Sequence, residues 1–231
     1  DLSVMTVDGQ TLGENLANAG IYDEDVIRPL DNPVYHQGSL AVLRGNLAPD
    51  GAVMKPAAAE ARLHKHTGPA IVFDSYKEMK AAVENETLDV TADHIMVFRN
   101  AGPVGGPGMP EWGMLPIPVK LVKQGVRDML RISDARMSGT SYGACILHAA
   151  PEAAIGGPLA LVKNGDMIAV DVAARTLDLL VDKAELQARK QVWQPPEQTV
   201  SRGYHWMSAQ HIQQADKGLS LIHISEPTRL R

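Results

Sequence analysis

Short apolar runs alternate with turn residues along most of the chain from Ser39 onward. Clusters of Gly, Pro, Asn and Asp separate these runs, and this spacing is typical of strands joined by turns. The last two runs alternate apolar and polar positions, and the short link at 173–175 predicts a hairpin between them. The predicted strands are SLAVLRG (39–45), AVMK (52–55), AIVF (70–73), HIMVF (94–98), LRIS (130–133), CILHA (145–149), LALV (159–162), MIAVDV (167–172) and TLDLLV (176–181).

Helix signals are fewer than strand signals. Ser75 and Glu78 form a capping-box pattern at the start of one predicted helix, and Asp182 and Glu185 repeat that pattern at the start of another. Because strands outnumber helices, we expect an α+β fold with a β-rich barrel or sandwich core and peripheral helices. The predicted helices cover 75–85 and 182–192, with further candidates at 9–19, 117–129 and 204–216.

The chain divides into three stretches that differ in composition and in the pattern of apolar and polar residues. Residues 1–38 carry scattered polar and turn residues, and we interpret them as a linker or the end of a preceding domain. Residues 39–218 hold all the predicted strands and form the main domain. Residues 219–231 contain LSLIHISEPTR, for which one codon choice matches an adapter used in shotgun sequencing, so we expect an adapter-derived tail. Other codons in the coding DNA would exclude that origin.

Composition and charge narrow the classes of function. The 231 residues weigh 24.9 kDa, 45% of them are hydrophobic and 21% are charged, as in an ordinary globular protein. The net charge of −5 argues against a nucleic acid as the main partner. No apolar run approaches the roughly 20 residues that span a bilayer, so we do not expect the chain to be an integral membrane protein.

Cys145 is the single cysteine of the sequence. One cysteine excludes an internal disulfide framework, a CxxC metal site and a complete iron–sulfur cluster held by this chain alone. The sequence begins at Asp1 without a Met or a targeting leader, and we expect the protein to extend upstream.

The segment 101–118, AGPVGGPGMPEWGMLPIP, is the most unusual in the sequence. Five glycines and five prolines surround one acid, Glu111. Pro fixes φ and Gly allows close backbone approach, so this loop is suited to hold one carboxylate beside a ligand. An ordinary surface loop with a solvated Glu111 stays open as the alternative. A phosphate-binding loop is disfavoured because no GK[ST] follows.

A second segment, SDARMSGTSYG (133–143), follows the strand LRIS. Small hydroxylated residues and glycines at a strand end often form turns whose backbone N–H groups point at an anion. Ser138 lies in this turn, but Arg136 two positions before it excludes the GxSxG nucleophile elbow. An ordinary Ser/Thr/Gly turn is the alternative. We expect Lys55 to be a solvated lysine and His148 to be a hydrogen-bonded core histidine.

Several long strings occur together in order: GNLAPDGAVMKPAA (45–58), HTGPAIVFDS (66–75), GPVGGPGMPEWGML (102–115), RISDARMSGTSYG (131–143) and APEAAIGGPLALVKNGDMIAVDVAARTLDLLV (150–181). With these strings the chain resembles the carboxyl-terminal domain of the dihydroxy-acid and sugar-acid dehydratase family. PEWGMLPIP, DARMSGTSYG and the late RGY…QADKG look more like the aldonate (L-arabinonate-type pentonate, or hexonate) dehydratases than the branched-chain biosynthetic enzyme. The resemblance implies a barrel-like domain of the swivelling β/β/α type with flanking helices.

The resemblance also implies a chemistry and site residues. Family members remove water from a 2,3-dihydroxy acid to give a 2-keto-3-deoxy acid, using an iron–sulfur cluster, [2Fe–2S] by expectation, and Mg²⁺. By motif, Ser138 is then the catalytic base that acts as an alkoxide, and Glu111 is a magnesium ligand. Gly139 and Thr140 join Ser138 in binding the substrate carboxylate. The loops that hold Glu111 and Ser138 are implied to meet on one rim of the barrel.

The chain departs from the family pattern in one respect. The cluster cysteines and the remaining magnesium ligands of the family match nothing in this sequence, and Cys145 corresponds to no cluster motif. We therefore expect a fragment that is inactive alone, from a cytoplasmic enzyme that forms a homodimer or homotetramer. Two other functions stay open: a non-catalytic module that binds a small anion, and a fragment of the branched-chain dihydroxy-acid dehydratase. A hydrolase with Ser138 as nucleophile is weaker because no His/Asp pair can be assigned to it.

Overall fold

The computed structural model of the chain describes residues 1–34, 36–197 and 200–221. These residues form two units, Asp1–Gly38 and Ser39–Arg231. Ten residues of the predicted adapter-derived tail at 219–231, those at 222–231, lie outside the described part of the chain. None of the described helices has the length and apolar character needed to cross a membrane.

The first unit contains one short helix, α1 (Leu12–Asn15). Thr11 caps it, and Glu14 completes a capping box by bonding back to the Thr11 backbone. The sequence predicts a longer helix over 9–19. Helix α1 buries no residue, and short helices depend on such packing to persist in water.

The second unit is built on an eight-stranded mixed sheet. Strands β3 to β6 run parallel to their neighbours in the order β6-β5-β4-β3, whereas the β1/β2, β2/β6, β3/β7 and β7/β8 pairs are antiparallel. The full order is β1-β2-β6-β5-β4-β3-β7-β8. The strands are β1 (Ala41–Leu43), β2 (Gly51–Met54), β3 (Lys65–Phe73), β4 (Ile95–Phe98), β5 (Arg131–Ser133), β6 (Cys145–Ala150), β7 (Met167–Asp171) and β8 (Thr176–Leu179).

The two edges of the sheet meet just beyond β1. Arg44 pairs in parallel with Thr176, and the Leu177 N–H donates to the Arg44 carbonyl at 2.9 Å. The sheet is therefore a nearly closed barrel. Together with its flanking helices it confirms the predicted α+β class and the β-rich, barrel-like architecture.

Side chains of β4 show how the sheet separates two apolar clusters. Ile95 and Val97 belong to the larger cluster, whereas Met96 and Phe98 belong to the second one. Alternate residues of a strand point to opposite faces, so β4 is covered on both sides. This explains why its sequence is a continuous apolar run rather than an alternating one.

Helices α2 and α3 cover one face of the sheet. Helix α2 buries Met79 and Val83 in the second cluster. The predicted caps are confirmed: the Ser75 Oγ accepts from the Glu78 N–H at 3.2 Å, and the Asp182 carboxylate accepts from the Ala184 N–H at 2.7 Å. The helices of this unit are α2 (Tyr76–Glu84), α3 (Val119–Lys123), α4 (Lys183–Val192) and α5 (Gly203–His211).

Three predicted elements of the second unit are wrong in type or length. The predicted strand LALV is a 3₁₀ helix, Pro158–Leu161, because Pro158 at its first turn presets helical φ. The helix predicted over 117–129 is only α3, because Gly125 takes a φ of +85° just after it. The helix predicted over 204–216 ends at His211 and is followed by a separate 3₁₀ turn.

Candidate active site

The predicted serine turn lies between β5 and β6. The Ser138 N–H donates to the Ser141 Oγ at 3.0 Å, and the Ser141 N–H donates back to the Ser138 carbonyl at 3.1 Å. The Ser138 Oγ lies 3.1 Å from the Thr140 Oγ1 and accepts from the Thr140 N–H at 3.3 Å. Thr140 therefore contacts the Ser138 hydroxyl through both its backbone N–H and its own hydroxyl.

Lys55, at the end of β2, holds the same turn from the opposite side. Its Nζ donates to the carbonyl oxygens of Ser138 and Gly139, both at 2.9 Å. The sequence predicts a solvated lysine, but the ammonium is instead bound to two carbonyls of the turn. Its charge adds a positive potential beside the Ser138 hydroxyl.

His148 lies on β6 next to the turn. Its Nε2 accepts a hydrogen bond from the Met137 N–H at 2.9 Å, as predicted, but the residue is only partly buried and lines a cavity instead of lying in the core. Burial lowers the pKa of this imidazole, and the positive charge of Arg136 lowers it further. The neutral ring is thus the form that fits this contact.

Ser138, Gly139 and His148 line one cavity of about 470 Å³. Two cations and two carboxylates border it, namely Arg44, Lys55, Asp50 and Asp216. Apolar side chains of β1 and β2 form another part of the wall. The cavity therefore combines one serine hydroxyl with charged groups of both signs and an apolar wall, the mixture typical of small-molecule sites.

Glu111 lies in the Gly/Pro loop that follows β4. Its carboxylate is 2.9 Å from the Arg136 guanidinium, and both side chains are about half exposed. Trp112 beside it stacks on Tyr76 with ring centroids 5.2 Å apart. Arg136 belongs to the serine turn, so the structure brings the two predicted loops together. Glu111 itself is not among the described side chains that line the Ser138 cavity.

A buried carboxylate, Asp134, ties the start of the serine turn to the start of the Gly/Pro loop. It accepts hydrogen bonds from the N–H groups of Asn100 at 3.2 Å, Ala101 at 3.0 Å and Ala153 at 2.9 Å. Burial outweighs these bonds, which lower the pKa, and raises the pKa of Asp134 to about 6. We call Asp134 and the neighbouring Glu152 the first anchor.

Glu152 extends the first anchor along the Gly/Pro loop. It accepts from the Val104 N–H at 2.9 Å, from the Gly105 N–H at 2.9 Å and from the Gln214 Nε2 at 2.7 Å. A side chain at Gly102 would collide with Glu152, because an added Cβ would lie 2.6 Å from its Oε2. The glycine at this position is therefore required for the close approach of loop and carboxylate.

A buried ion pair, the second anchor, holds the far ends of the same two loops. The Arg131 Nη2 lies 2.9 Å from the Asp128 Oδ1. Arg131 also donates to the Leu115 carbonyl at 2.9 Å, at the end of the Gly/Pro loop, and to the Tyr142 carbonyl at 3.2 Å, at the end of the serine turn. Asp128 accepts from the Ala144 N–H at 2.9 Å. Both loops are thus joined to each other at both ends.

Sequence reasoning missed these anchors. Two signals were present: Asp134 opens the DARMSG string, and Arg131 is a charged residue inside a predicted buried strand. A buried charge is rare unless it is paired or hydrogen-bonded. The partners, however, are backbone groups and an aspartate whose proximity only the fold establishes.

The described residues fit the expected cofactors only in part. Among them no three His, Cys, Asp or Glu side chains lie close enough to hold a metal ion. Glu111 offers one accessible carboxylate, which fits a single Mg²⁺ ligand. Cys145 is buried, its thiol donates to the Tyr142 carbonyl at 3.5 Å, and burial raises its pKa. Such a thiol does not fit a cluster ligand.

The chain is similar in sequence to several known proteins. The chain is 56% identical over 213 residues to the 6-deoxy-6-sulfo-D-gluconate dehydratase of Pseudomonas putida, covering 91% of this chain and 37% of the relative. It is 49% identical over 223 residues to the L-arabonate dehydratase of Azospirillum brasilense, covering 94% and 38%. It is 49% identical over 190 residues to the dihydroxy-acid dehydratase of Methanoregula boonei, covering 82% and 34%.

The chain spans little more than a third of the length of these relatives. The sequence model of the dihydroxy-acid/6-phosphogluconate dehydratase C-terminal family matches residues 25–219. This match extends across all eight strands of the barrel and both loops of the candidate site. The resemblance inferred from the sequence strings is thereby confirmed, and the chain belongs to the dihydroxy-acid/6-phosphogluconate dehydratase family.

Proposed function

We propose that the chain is part of a dehydratase that converts a 2,3-dihydroxy sugar acid into a 2-keto-3-deoxy acid. The observation that carries the proposal is the serine turn, in which Thr140 contacts the Ser138 hydroxyl and the Lys55 ammonium binds the Ser138 carbonyl beside a cavity. The names of the relatives from Pseudomonas putida and Azospirillum brasilense favour an aldonate as the substrate class.

Ser138 has the role of catalytic base in this proposal. It removes the proton from C2 while the hydroxyl group at C3 leaves, and the resulting enol tautomerises to the 2-keto acid. A serine hydroxyl is a very weak base at neutral pH, so its alkoxide needs stabilisation. The Thr140 N–H at 3.3 Å and the nearby Lys55 charge supply part of it. Gly139 and Thr140 bind the substrate carboxylate in this arrangement.

Glu111 is proposed as one ligand of Mg²⁺, and Arg136 holds its carboxylate in place until the cation binds. A Mg²⁺ ion held there would supply positive charge that stabilises negative charge on the substrate. The proposed iron–sulfur cluster, [2Fe–2S] by expectation, would take all its ligands from outside this chain, since Cys145 does not fit. The remaining magnesium ligands would also come from outside it.

Three further properties follow from the resemblance and are part of the proposal. The partner is a small sugar acid, and neither a nucleic acid nor a membrane is expected. The assembly is a homodimer or homotetramer, and the location is the cytoplasm. Size-exclusion chromatography with light scattering, done on the whole proposed dehydratase that contains this chain, tests the assembly. A monomer would contradict it.

The function is tested with a chimera, because the chain matches only 37% of its Pseudomonas putida relative. Residues 39–218 replace the corresponding region of that enzyme, and formation of the 2-keto acid is measured on a panel of aldonates and on a branched-chain 2,3-dihydroxy acid. We expect turnover of an aldonate by the chimera and none by the 231-residue chain alone after cluster reconstitution. Turnover of the branched-chain acid only would favour the alternative dehydratase.

The role of Ser138 is tested in the same chimera. Ser138→Ala should lower kcat by about 10²–10⁴-fold, the usual contribution of a general base. Ser201→Ala, at an exposed position, is the matched control and should leave kcat unchanged. Activity of Ser138→Ala within a few-fold of the parent would exclude Ser138 as the base. A folded chimera that binds aldonates without turnover would favour the anion-binding module.

A further inference from the structure

His148 occupies an irregular position in β6. Gly51 pairs with Ala150 and Val53 pairs with Leu147, so Ala52 of β2 faces two residues of β6, His148 and Ala149. This two-against-one register is a β-bulge, a feature that bends a strand and redirects a side chain. His148 is also the one residue of β6 that is not fully buried.

The backbone of His148 confirms that the bulge is not an ordinary stretch of strand. Its φ is +56°, in the left-handed region that residues other than glycine adopt at a cost. The ring lines the Ser138 cavity, whereas its neighbours Leu147 and Ala149 are buried in the protein. The fold therefore accepts local strain and places an imidazole beside the serine turn.

The contact made by this imidazole specifies its protonation state. The Nε2 atom accepts the Met137 N–H at 2.9 Å, which requires an unprotonated Nε2 and, in the neutral ring, a proton on Nδ1. A proton on Nε2 would face the donor N–H with a second donor. Met137 directly precedes Ser138, so this contact fixes the backbone that carries the proposed base.

We propose that His148 is a positioning residue whose neutral, Nδ1-protonated imidazole holds the Met137–Ser138 backbone in place, and that protonation of the ring releases it. The effect of His148 on catalysis rests on the proposed function, whereas its contact with the Met137–Ser138 backbone does not. Each part therefore has its own test.

The groups around the ring support a neutral imidazole. Arg136 is the charged neighbour on the serine turn, and burial together with this cation lowers the imidazole pKa. The other charged groups that line the cavity directly flank β1 and β2 or lie in the 3₁₀ turn after α5, namely Arg44, Asp50, Lys55 and Asp216. Their charges balance in number, so the cavity as a whole offers the imidazolium no net counter-charge.

NMR on the 231-residue chain tests whether the His148 imidazole holds the Met137–Ser138 backbone. Near neutral pH, the imidazole spectrum should show His148 with a protonated Nδ1 and a bare Nε2. On acidification the Met137 amide signal should shift with the same midpoint as the His148 ring, and that midpoint should lie below the ordinary 6.5. An Nε2-protonated ring, or a Met137 amide that ignores the His148 titration, would overturn the proposal.

Two substitutions separate the acceptor from the ring. His148→Gln keeps an acceptor oxygen near the Nε2 position and cannot titrate, whereas His148→Leu has no acceptor; both carry similar backbone strain at positive φ. His148→Leu should speed hydrogen exchange of the Met137 amide at least about fivefold, the factor for a hydrogen bond of about 1 kcal/mol. His148→Gln should keep the protection and remove the part of its pH dependence that follows the His148 titration. His205→Gln, at an exposed histidine, should change neither.

The chimera tests whether His148 affects catalysis by positioning Ser138. His148→Gln should remove the acid limb that His148 contributes to the pH profile of kcat. His148→Leu should lower kcat about tenfold above the midpoint of the parent imidazole, with little change in KM, and this difference should shrink below that midpoint. An unchanged profile in both variants would contradict the catalytic role. If the NMR results hold and the parent chimera has no activity, the proposed function fails while the backbone role of His148 stands.

Discussion

Asp134 and Asp128 are both buried aspartates that hold the loops of the candidate site, but their surroundings differ. Asp128, in the second anchor, has the Arg131 guanidinium 2.9 Å away. Asp134, in the first anchor, has three backbone N–H donors and, in Glu152, a second carboxylate nearby. One anchor therefore balances its charge with a cation, and the other does so with backbone dipoles.

The difference shows what backbone donors can and cannot do for a buried carboxylate. Each of the three N–H groups lowers the pKa of Asp134, yet burial dominates and the pKa is raised to about 6. Hydrogen bonds satisfy the oxygens, but they do not replace the hydration of a full charge. The first anchor thus depends on pH, whereas the second depends on keeping both of its charged partners.

Arg131→Met gives the largest expected effect. The substitution leaves Asp128 buried without its cation and leaves the Leu115 and Tyr142 carbonyls without their donor. Breaking a buried pair on one side costs about 3–5 kcal/mol of the free energy of unfolding. Denaturant unfolding of the chain measures it, with loss of the folded state as the extreme result.

Lys123→Met is the matched control for this substitution. Lys123 pairs with Glu86, and both side chains are exposed. Removal of an exposed pair should cost less than about 1 kcal/mol. Equal losses for the two variants would show that the buried pair contributes no more than a surface one, and the contrast between the anchors would fail.

The first anchor predicts a pH dependence. Because the pKa of Asp134 is raised from 3.8 to about 6, the folded chain keeps a proton between these values that the unfolded chain has released. The contribution of Asp134 to the free energy of unfolding is full below pH 3.8 and falls as the pH rises through about 6. The total fall is about 3 kcal/mol.

Asp134→Asn isolates this contribution. Other groups titrate alike in both proteins, so the stability of the parent minus that of the variant should fall by about 3 kcal/mol across this pH window. The variant should itself lose about 1–3 kcal/mol at low pH, because its amide NH₂ faces backbone N–H donors. A difference that stays constant with pH would show that Asp134 titrates normally.

The sequence predicts most of the barrel because each strand has a signal in its own local sequence. Continuous apolar runs such as HIMVF lie between two apolar clusters, and turn residues mark where each run ends. LALV is also a continuous apolar run, but it follows Gly157 and Pro158, and these two residues favour a 3₁₀ turn. The apolar run alone could not distinguish the two outcomes.

The candidate site was predictable in its loops but not in what holds them. Unusual composition marked Glu111 and Ser138, whose assigned roles stay predictions. The first anchor joins Asp134 to Ala101, 33 residues away, and the second joins Arg131 to Leu115, 16 residues away. Such pairs depend on the order of strands in the sheet, and local patterns carry no record of that order. Lys55 was misjudged for the same reason, since its partners lie more than 80 residues away.

Lys55→Met gives the smallest expected effect and extends the comparison to a cation at the middle of the serine turn. Lys55 donates to the Ser138 and Gly139 carbonyls, but it is only partly buried, so water replaces it more readily than it replaces Arg131. We expect a loss of about 1 kcal/mol in the free energy of unfolding. Lys65→Met, which removes an exposed pair with Asp171, should cost less. Faster hydrogen exchange at the Thr140 and Ser141 amides in Lys55→Met alone would show that the cation orders the turn. Unchanged exchange would leave the order of the turn to the two buried anchors and His148.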